Sequence, residues 1–213
     1  MAGLRVHNFA VSLDGFGAGL EQSVEAPLGV GAEALHEWVF KTRTGRAMIG
    51  QEGGTTGIDD HFLRAGEDGI GATIMGRNMF GPVRGPWPDE SWRGWWSEEP
   101  PYHHPVYVMT HFPRPDLPMD GETVFHFVQG PPGEVLAMAV EAAGGRDVRL
   151  GGGVSTVRAF LAEGLVDELH IAIAPVFLGV GERLFGDGVP PVGYACDPIV
   201  AGEGAAHAVI RRA

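Results

Sequence analysis

Apolar positions in this chain change spacing along its length. Leu4 to Leu13 is mostly apolar and reads as a first strand ending at the turn Asp14-Gly15. Val11 to Gly19 is studded with glycine and reads as a flexible loop, which continues through residues 20–31 around Pro27. Ala32 to Lys41 switches to helical spacing, with Leu35, Trp38 and Val39 on one side. Residues 51–60 form a loop that leads into a short helix over Ile58 to Ala65. Ile70 to Met75 is a buried strand, and a short helix is expected to open at Gly76-Arg77-Asn78. Residues 81–105, rich in Pro and Trp, read as an irregular excursion. Val106 to Thr110 and Thr123 to Val128 are further strands. Gly133 to Ala143 is a helix stopped by Gly144-Gly145. A strand around Val148 to Leu150 then meets a helix running from Gly151 to Glu163, followed by a long strand from Val166 to Ala174. Tyr194 to Ala201 and Ala206 to Arg212 suggest a terminal antiparallel hairpin.

Strands alternating with helices from about 70 to 175 predict βαβ units and a largely parallel sheet. No repeat or long linker divides the chain, so one domain over residues 1–213 is expected. The net charge of −12 argues against nucleic acid or an anionic membrane as partner. An anionic ligand would need a local pocket against that field. No apolar run approaches the ~18 residues of a membrane span. The N-terminal residues have no signal-peptide core, and Cys196 is the single cysteine, so a cytoplasmic protein is expected.

The candidate chemistry lies where strands end. Leu150-Gly-Gly-Gly-Val-Ser-Thr156 joins a strand to a helix through bare backbone. A helix N-terminus offers free N–H groups and a positive dipole end, which suits a diphosphate. No lysine follows the glycines, so this is not a Walker loop. Met75-Gly-Arg77 and Met109-Thr-His111 are two more strand ends with glycine or a donor. In open α/β sheets, ligands bind beyond the carboxyl ends of strands. Against this, any strand end needs turn residues. Gly29-Val-Gly-Ala-Glu-Ala34 matches a dinucleotide fingerprint only superficially, because Pro27 argues against a strand before it. His103, His104 and His111 lack the spacing and partners of a metal site. The Trp87, Trp92, Trp95 and Trp96 cluster is either a wall for an aromatic ligand or, as favoured, a staple for its loop. Asp14, beside Ser12, is either an orienting or catalytic carboxylate or an ordinary Asp-Gly turn. Glu33, His36 and Glu37 read as a solvated face, from which one group can reach the site as a proton donor.

Five segments together carry a resemblance. Ala10-Val-Ser-Leu-Asp-Gly15, Ile74-Met-Gly-Arg-Asn78, Tyr107-Val-Met-Thr-His111, Leu150-Gly-Gly-Gly153 and Gly164 to Phe185 follow one another in an order similar to that of the dihydrofolate reductase-like proteins. They resemble most the branch related to the reductase domain of the bifunctional riboflavin-biosynthesis deaminase-reductase. The resemblance implies an α/β fold of dihydrofolate reductase type: a single twisted, mostly parallel sheet flanked by helices, with a C-terminal antiparallel hairpin. It implies NADPH as hydride donor. By position, Ala10 meets the nicotinamide, while Gly76, Arg77 and Asn78 face the phosphates. Thr110 and His111 lie by the adenosine and its 2′-phosphate. Gly151, Gly152, Gly153, Val154, Ser155 and Thr156 cradle the pyrophosphate. The Asp14 to Ala18 loop borders the nicotinamide. Relatives of this branch are commonly homodimers using the late strands, here Val166 to Phe185.

The expected activity is NADPH-dependent reduction of a small, planar, heterocyclic substrate of pterin or pyrimidine type. Asp14 and Glu37 are the catalytic candidates, with Asp14 expected to hold the loop or substrate rather than to act as an acid. No carboxylate aligns with the one that grips the pterin in dihydrofolate reductase. No basic cluster for a substrate phosphate stands out in residues 20–60, where Lys41, Arg43 and Arg46 are the cations on offer. The alternatives are a non-catalytic nucleotide- or ligand-binding protein on the same fold, and a flavin-binding or drug-sequestering protein.

Overall fold

The computed structural model describes residues 2–81, 85–190 and 192–213. In chain order, β1 (Leu4–Val11) and β2 (Phe16–Ala18) come first. A 3-10 turn over Ala32–His36 runs into α1 (Glu37–Lys41), followed by α2 (Arg43–Met48) and α3 (Ile58–Ala65). Next are β3 (Ile70–Gly76), α4 (Arg77–Phe80), β4 (Pro105–Met109), β5 (Leu117–Pro118), β6 (Val124–Val128) and α5 (Pro132–Ala142). Then β7 (Asp147–Gly152), α6 (Val154–Ala162), β8 (Glu168–Ile173), β9 (Glu182–Arg183), β10 (Tyr194–Cys196), β11 (Val200–Ala201) and β12 (Ala206–Arg212) complete the chain.

The main sheet runs β10-β12-β8-β1-β7-β3-β4-β6-β5, with β11 also on β12. The pairings from β8 through β6 are parallel, and β12 turns back antiparallel on β8 with β10 and β11 beside it. This is the mostly parallel sheet with a C-terminal antiparallel hairpin that the sequence implied. Side chains on β8 alternate between its faces. Leu169 and Ile171 join the large core under α5 and α6, with Val135, Val157, Phe160 and Leu161. Ala172 packs on the opposite face with Trp38 and Leu63 of α1 and α3.

Several elements differ locally from the sequence reading. The segment expected as one helix from Ala32 to Lys41 starts as a 3-10 turn. Ala32 and Leu35 are both buried, and their three-residue step places them on one face of the 3-10 turn, with Trp38 buried three residues on at the start of α1. The helix after the glycines begins at Val154, three residues later than expected, because Gly151 and Gly152 complete β7. The glycine loop after β1 carries a short strand, β2, paired with β9. The expected excursion over 81–105 includes residues 82–84, which lie outside the described ones, and its described part has no helix or strand before β4.

One irregularity shapes the site. The core-facing residues of β1 step by two from Leu4 to Val6, then by three to Phe9, then by two to Val11. The pairing with β8 shifts between Val6 and Phe9, and Asn8 takes a left-handed conformation at φ 58°. This bulge re-aims His7 and Asn8 relative to a regular strand.

Candidate functional site

The chain places β3, β4 and β6 outward in succession, then returns to insert β7 between β1 and β3. The glycine-rich end of β7 therefore lies between Ala10 of β1 and Gly76 at the end of β3. Two cavities meet there, sharing Gln22, Asn78 and Gly153. The outer one, about 430 Å3, is lined by Gly76, Arg77, Thr110 and His111, together with Ser155 and Thr156. The inner one, about 280 Å3, is lined by Ala10, Gly151, Gly152 and Val154. All twelve positions proposed for the cofactor thus line one continuous cleft.

The three glycines differ in what requires them. A Cβ on Gly151 would lie 2.9 Å from Met79 Sδ, so the flexible Met79 tip would have to shift to admit it. Gly152 sits at φ +135°, a conformation that L side chains rarely adopt. Gly153 has φ −71° and ψ −168°, open to any residue, and a Cβ there would meet no protein atom within 4 Å. Protein packing gives no reason for a glycine at 153. Gly153 also precedes α6, which has no side-chain cap on its first N–H groups. Across the cleft, a Cβ on Gly76 would lie 2.2 Å from Thr156 Oγ1, so β3 and α6 approach closely only because residue 76 is glycine.

The outer cavity has an aromatic and cationic wall. The Arg77 guanidinium lies 3.5 Å over the Trp87 ring centroid and donates to the Gly85 carbonyl at 2.6 Å. Trp87 Nε1 donates to the Phe112 carbonyl at 2.6 Å, and Thr110 Oγ1 accepts from the Phe112 amide at 3.1 Å. Gln129 Nε2 donates to the His111 carbonyl at 2.7 Å. The Trp-rich segment acts as a staple: Trp92 Nε1 donates to the Phe80 carbonyl, and Trp96 stacks on Phe125.

The inner cavity is lined by His7, Asn8 and His36 among apolar Leu28, Val39 and Leu63. His7 Nδ1, Asn8 Oδ1 and His36 Nδ1 are buried without a hydrogen-bond partner. Each such atom costs ~1–3 kcal/mol of lost hydration unless something complements it. His7 Nε2 lies 2.6 Å from Glu168 Oε1, and this contact, foremost, holds the Glu168 carboxyl down to about 2. Asn8 Nδ2 donates to the Leu63 carbonyl at 3.1 Å, which leaves its Oδ1 as an acceptor. Burial pushes the His36 imidazole below its usual range, toward the neutral form. At the rim, Arg149 Nη1 contacts both Glu67 oxygens, at 2.6 and 2.7 Å. Of these, the sequence pattern singles out His36 but not His7 and Asn8, for which the three-residue step from Val6 to Phe9 is the signal.

Neither catalytic candidate lines either cavity. Asp14 accepts from Ser12 Oγ at 2.6 Å and from the Leu178 and Gly179 amides at 3.1 and 2.7 Å. The Ser12 hydroxyl leads in holding its carboxyl down to about 2, aided by the two amides. It ties the glycine loop to the 178–179 turn. Glu37 is exposed and sits 4.0 Å from Lys41 one helical turn on. Its side chain points away from the cleft because Trp38, the next residue, takes the buried face.

Behind the inner cavity lies a buried relay. The Asn8 amide donates to His170 Nδ1 at 3.1 Å, which places the His170 hydrogen on Nε2. That nitrogen is 3.0 Å from His207 Nδ1, and His207 Nε2 is 2.8 Å from Asp59 Oδ1. The Gly204 amide donates to Asp59 Oδ2 at 2.7 Å. Phe62 stacks on both imidazoles. Burial, with His7 and His207 nearby, lowers the His170 pKa to about 3. The relay holds the bulge at Asn8 in place. Among the described residues, no cluster of His, Cys, Asp and Glu is arranged to hold a metal ion.

Comparison with solved structures finds the same fold elsewhere. A protein from Shewanella sp. PV-4 assigned to riboflavin biosynthesis aligns over 100% of this chain and 99% of its own, at 23% identity and TM-score 0.60. A pyrimidine reductase-like protein from Corynebacterium diphtheriae aligns over 100% and 92%, at 16% identity and TM-score 0.55. Dihydrofolate reductase from Enterococcus faecalis, in complex with NADP(H), aligns over 99% and 96%, at 13% identity and TM-score 0.52. A Thermotoga maritima diaminohydroxyphosphoribosylaminopyrimidine deaminase/5-amino-6-(5-phosphoribosylamino)uracil reductase aligns over 100% of this chain and 57% of its own, at 14% identity and TM-score 0.52. Likeness at these identities is one of fold. No curated protein matches the chain significantly. The family model described as the RibD C-terminal domain matches residues 6–197. Matched over nearly all of its length, the chain belongs to the RibD C-terminal domain family.

Proposed function

We propose that this chain is an NADPH-dependent reductase of a small planar heterocycle. The observation that carries the reading is Gly153, whose missing side chain leaves a cradle that no protein atom fills. Gly153, Ser155 and Thr156 would hold the diphosphate at the start of α6. Arg77, Thr110 and His111 would take the adenosine end with its 2′-phosphate. Ala10 would lie by the nicotinamide, where the two cavities join. Bound there, the nicotinamide supplies a hydride. The chain's own part is to align the reactants and keep bulk water from the inner cavity. The Enterococcus faecalis structure with NADP(H) and the family membership support this assignment.

The test is Gly153→Ala. NADPH affinity should fall more than ~10-fold, or ~1.4 kcal/mol, with the circular dichroism unchanged. Normal NADPH binding by a folded variant would refute the assignment. Gly152 is the poorer probe, because any side chain at its φ of +135° strains the backbone itself.

A second reading, a ligand-binding protein that kept the fold without catalysis, is favoured by one observation. Among the described residues, Glu67 is the only carboxylate lining the inner cavity, and Arg149 already occupies it. Oxidation of NADPH by a bound heterocycle decides against this second reading.

The assembly proposed is a homodimer. β8 is flanked by β1 and β12, so its edges are not free. Phe177 and Val180, which follow it, are 75% and 58% exposed and offer the apolar contact instead.

A further inference from the structure

Charge inside the cleft narrows the substrate. The inner cavity is lined by two charged side chains among the described residues, Glu67 and Arg149. They pair through both oxygens of Glu67, at 2.6 and 2.7 Å, so the rim carries no net charge. Lys41, Arg43 and Arg46, the cations available in the preceding segment, do not line the cavity. Lys41 faces Glu37, and Arg46 Nη1 donates to the Glu52 carbonyl at 3.4 Å. A phosphate at this rim would meet the Glu67 carboxylate and would have to compete with it for Arg149.

The floor of the cavity asks for something else. His7, Asn8 and His36 each carry a buried polar atom without a partner. His36 is held neutral by burial. The Asn8 amide is fixed by its bond to Leu63, so its oxygen is an acceptor in waiting. These three residues line the cavity, and a ligand with N–H and ring-nitrogen groups suits such a polar, neutral floor, whereas one that brings a second anion does not. The remaining walls, Leu28, Val39, Leu63 and Met79, are apolar and suit a flat ring.

We infer that the inner cavity takes an uncharged, planar, hydrogen-bonding molecule without a phosphate arm, recognised by His7, Asn8 and His36. The inference deepens the proposed reductase function and rests on it. It sets this chain apart from the Thermotoga maritima relative, whose name specifies a phosphoribosylamino uracil.

Two probes separate the possibilities: 5-amino-6-(ribosylamino)uracil and its 5-phosphate. Each is titrated calorimetrically into the full-length protein, with and without saturating NADP+. NADPH affinity is measured separately by tryptophan fluorescence. The uncharged probe should bind, and the phosphorylated probe should bind no tighter. Asn8→Gly, which tolerates the left-handed backbone, and His36→Phe, which keeps the volume, should each weaken the uncharged probe by ~10-fold. Glu67→Gln frees Arg149 and should improve the phosphorylated probe relative to the uncharged one by ~3-fold. Tighter binding of the phosphorylated probe to the unmodified protein by ~10-fold or more would overturn the inference. So would failure of the uncharged probe to bind while NADPH affinity is intact. Binding of the uncharged probe without any NADPH affinity would support the cavity assignment and sink the reductase reading instead.

Discussion

At the scale of single residues, the site depends on groups whose value comes from their partners. Asp59 is 1% exposed and is tied to His207 and the Gly204 amide. Replacing it by alanine strands both donors in the interior, at ~1–3 kcal/mol for each unsatisfied group. Asp59→Ala should lower the urea midpoint accordingly. It should also weaken binding in the inner cavity, since the relay ends on the Asn8 amide. An unchanged midpoint would show that the relay does not hold the fold. Asp14 has a different part. With its carboxylate satisfied by Ser12, Leu178 and Gly179, Asp14→Asn should leave NADPH affinity nearly intact and loosen the glycine loop. Faster proteolysis within residues 14–19 would report that loosening, and a tenacious loop would refute it.

At the scale of elements, the Trp-rich segment links packing to the cofactor cleft. Trp87 does not line the outer cavity, yet it carries the Arg77 guanidinium on its ring and holds the Phe112 carbonyl. A cation stacked on tryptophan gains ~0.5–2 kcal/mol. Trp87→Leu should therefore weaken NADPH binding by ~3- to 10-fold, and NADH binding by less if Arg77 reads the 2′-phosphate. Fluorescence titration of both nucleotides checks this; an equal loss for both would remove Arg77 from that role. The glycine segment between β7 and α6 shows the same dependence. Gly151 packs against the Met79 tip, Gly152 is held by its own φ, and Gly153 faces open space that the proposed diphosphate would fill.

For the whole molecule, the buried histidines set the response to acid. An unfolded histidine takes a proton near 6.5, whereas His170 in the fold resists until about 3. His104, 2.8 Å from Thr73 Oγ1, is likewise held down to about 4, chiefly by burial. Between these values the unfolded chain binds more protons than the folded one. The contribution is thus complete above pH 6.5 and is lost as the pH falls through 6.5 toward 4 and then 3. The Tm should fall steadily from pH 7 to pH 4, and the slope in His170→Gln should be shallower by about one proton. A Tm independent of pH in that window would contradict the buried neutral assignment. At neutral pH, light scattering at micromolar concentration should give twice the monomer mass, and Phe177→Ser should give the monomer. A monomeric parent protein would discard the dimer.

Much of the architecture was legible because its cause is local. The apolar runs of β3 and β4, the alternation in β6, and the helical spacing of α5 and α6 each report one element's own burial. The strand ends at Gly76, Thr110 and Gly151 marked the cleft for the same reason, since strands run parallel and end together. Even the bulge at Asn8 is written in the step from Val6 to Phe9. Other features come from residues far apart in the chain. His7 meets Glu168 across 161 positions, His207 meets Asp59 across 148, and Arg149 meets Glu67 across 82. Spacing along the chain carries no trace of such pairs. They exist because β7 returns between β1 and β3, and because β12 folds back onto β8. Likewise, three glycines in a row look alike as letters. Only a backbone with its neighbours in place shows which is bound by φ, which by packing, and which leaves room for a ligand.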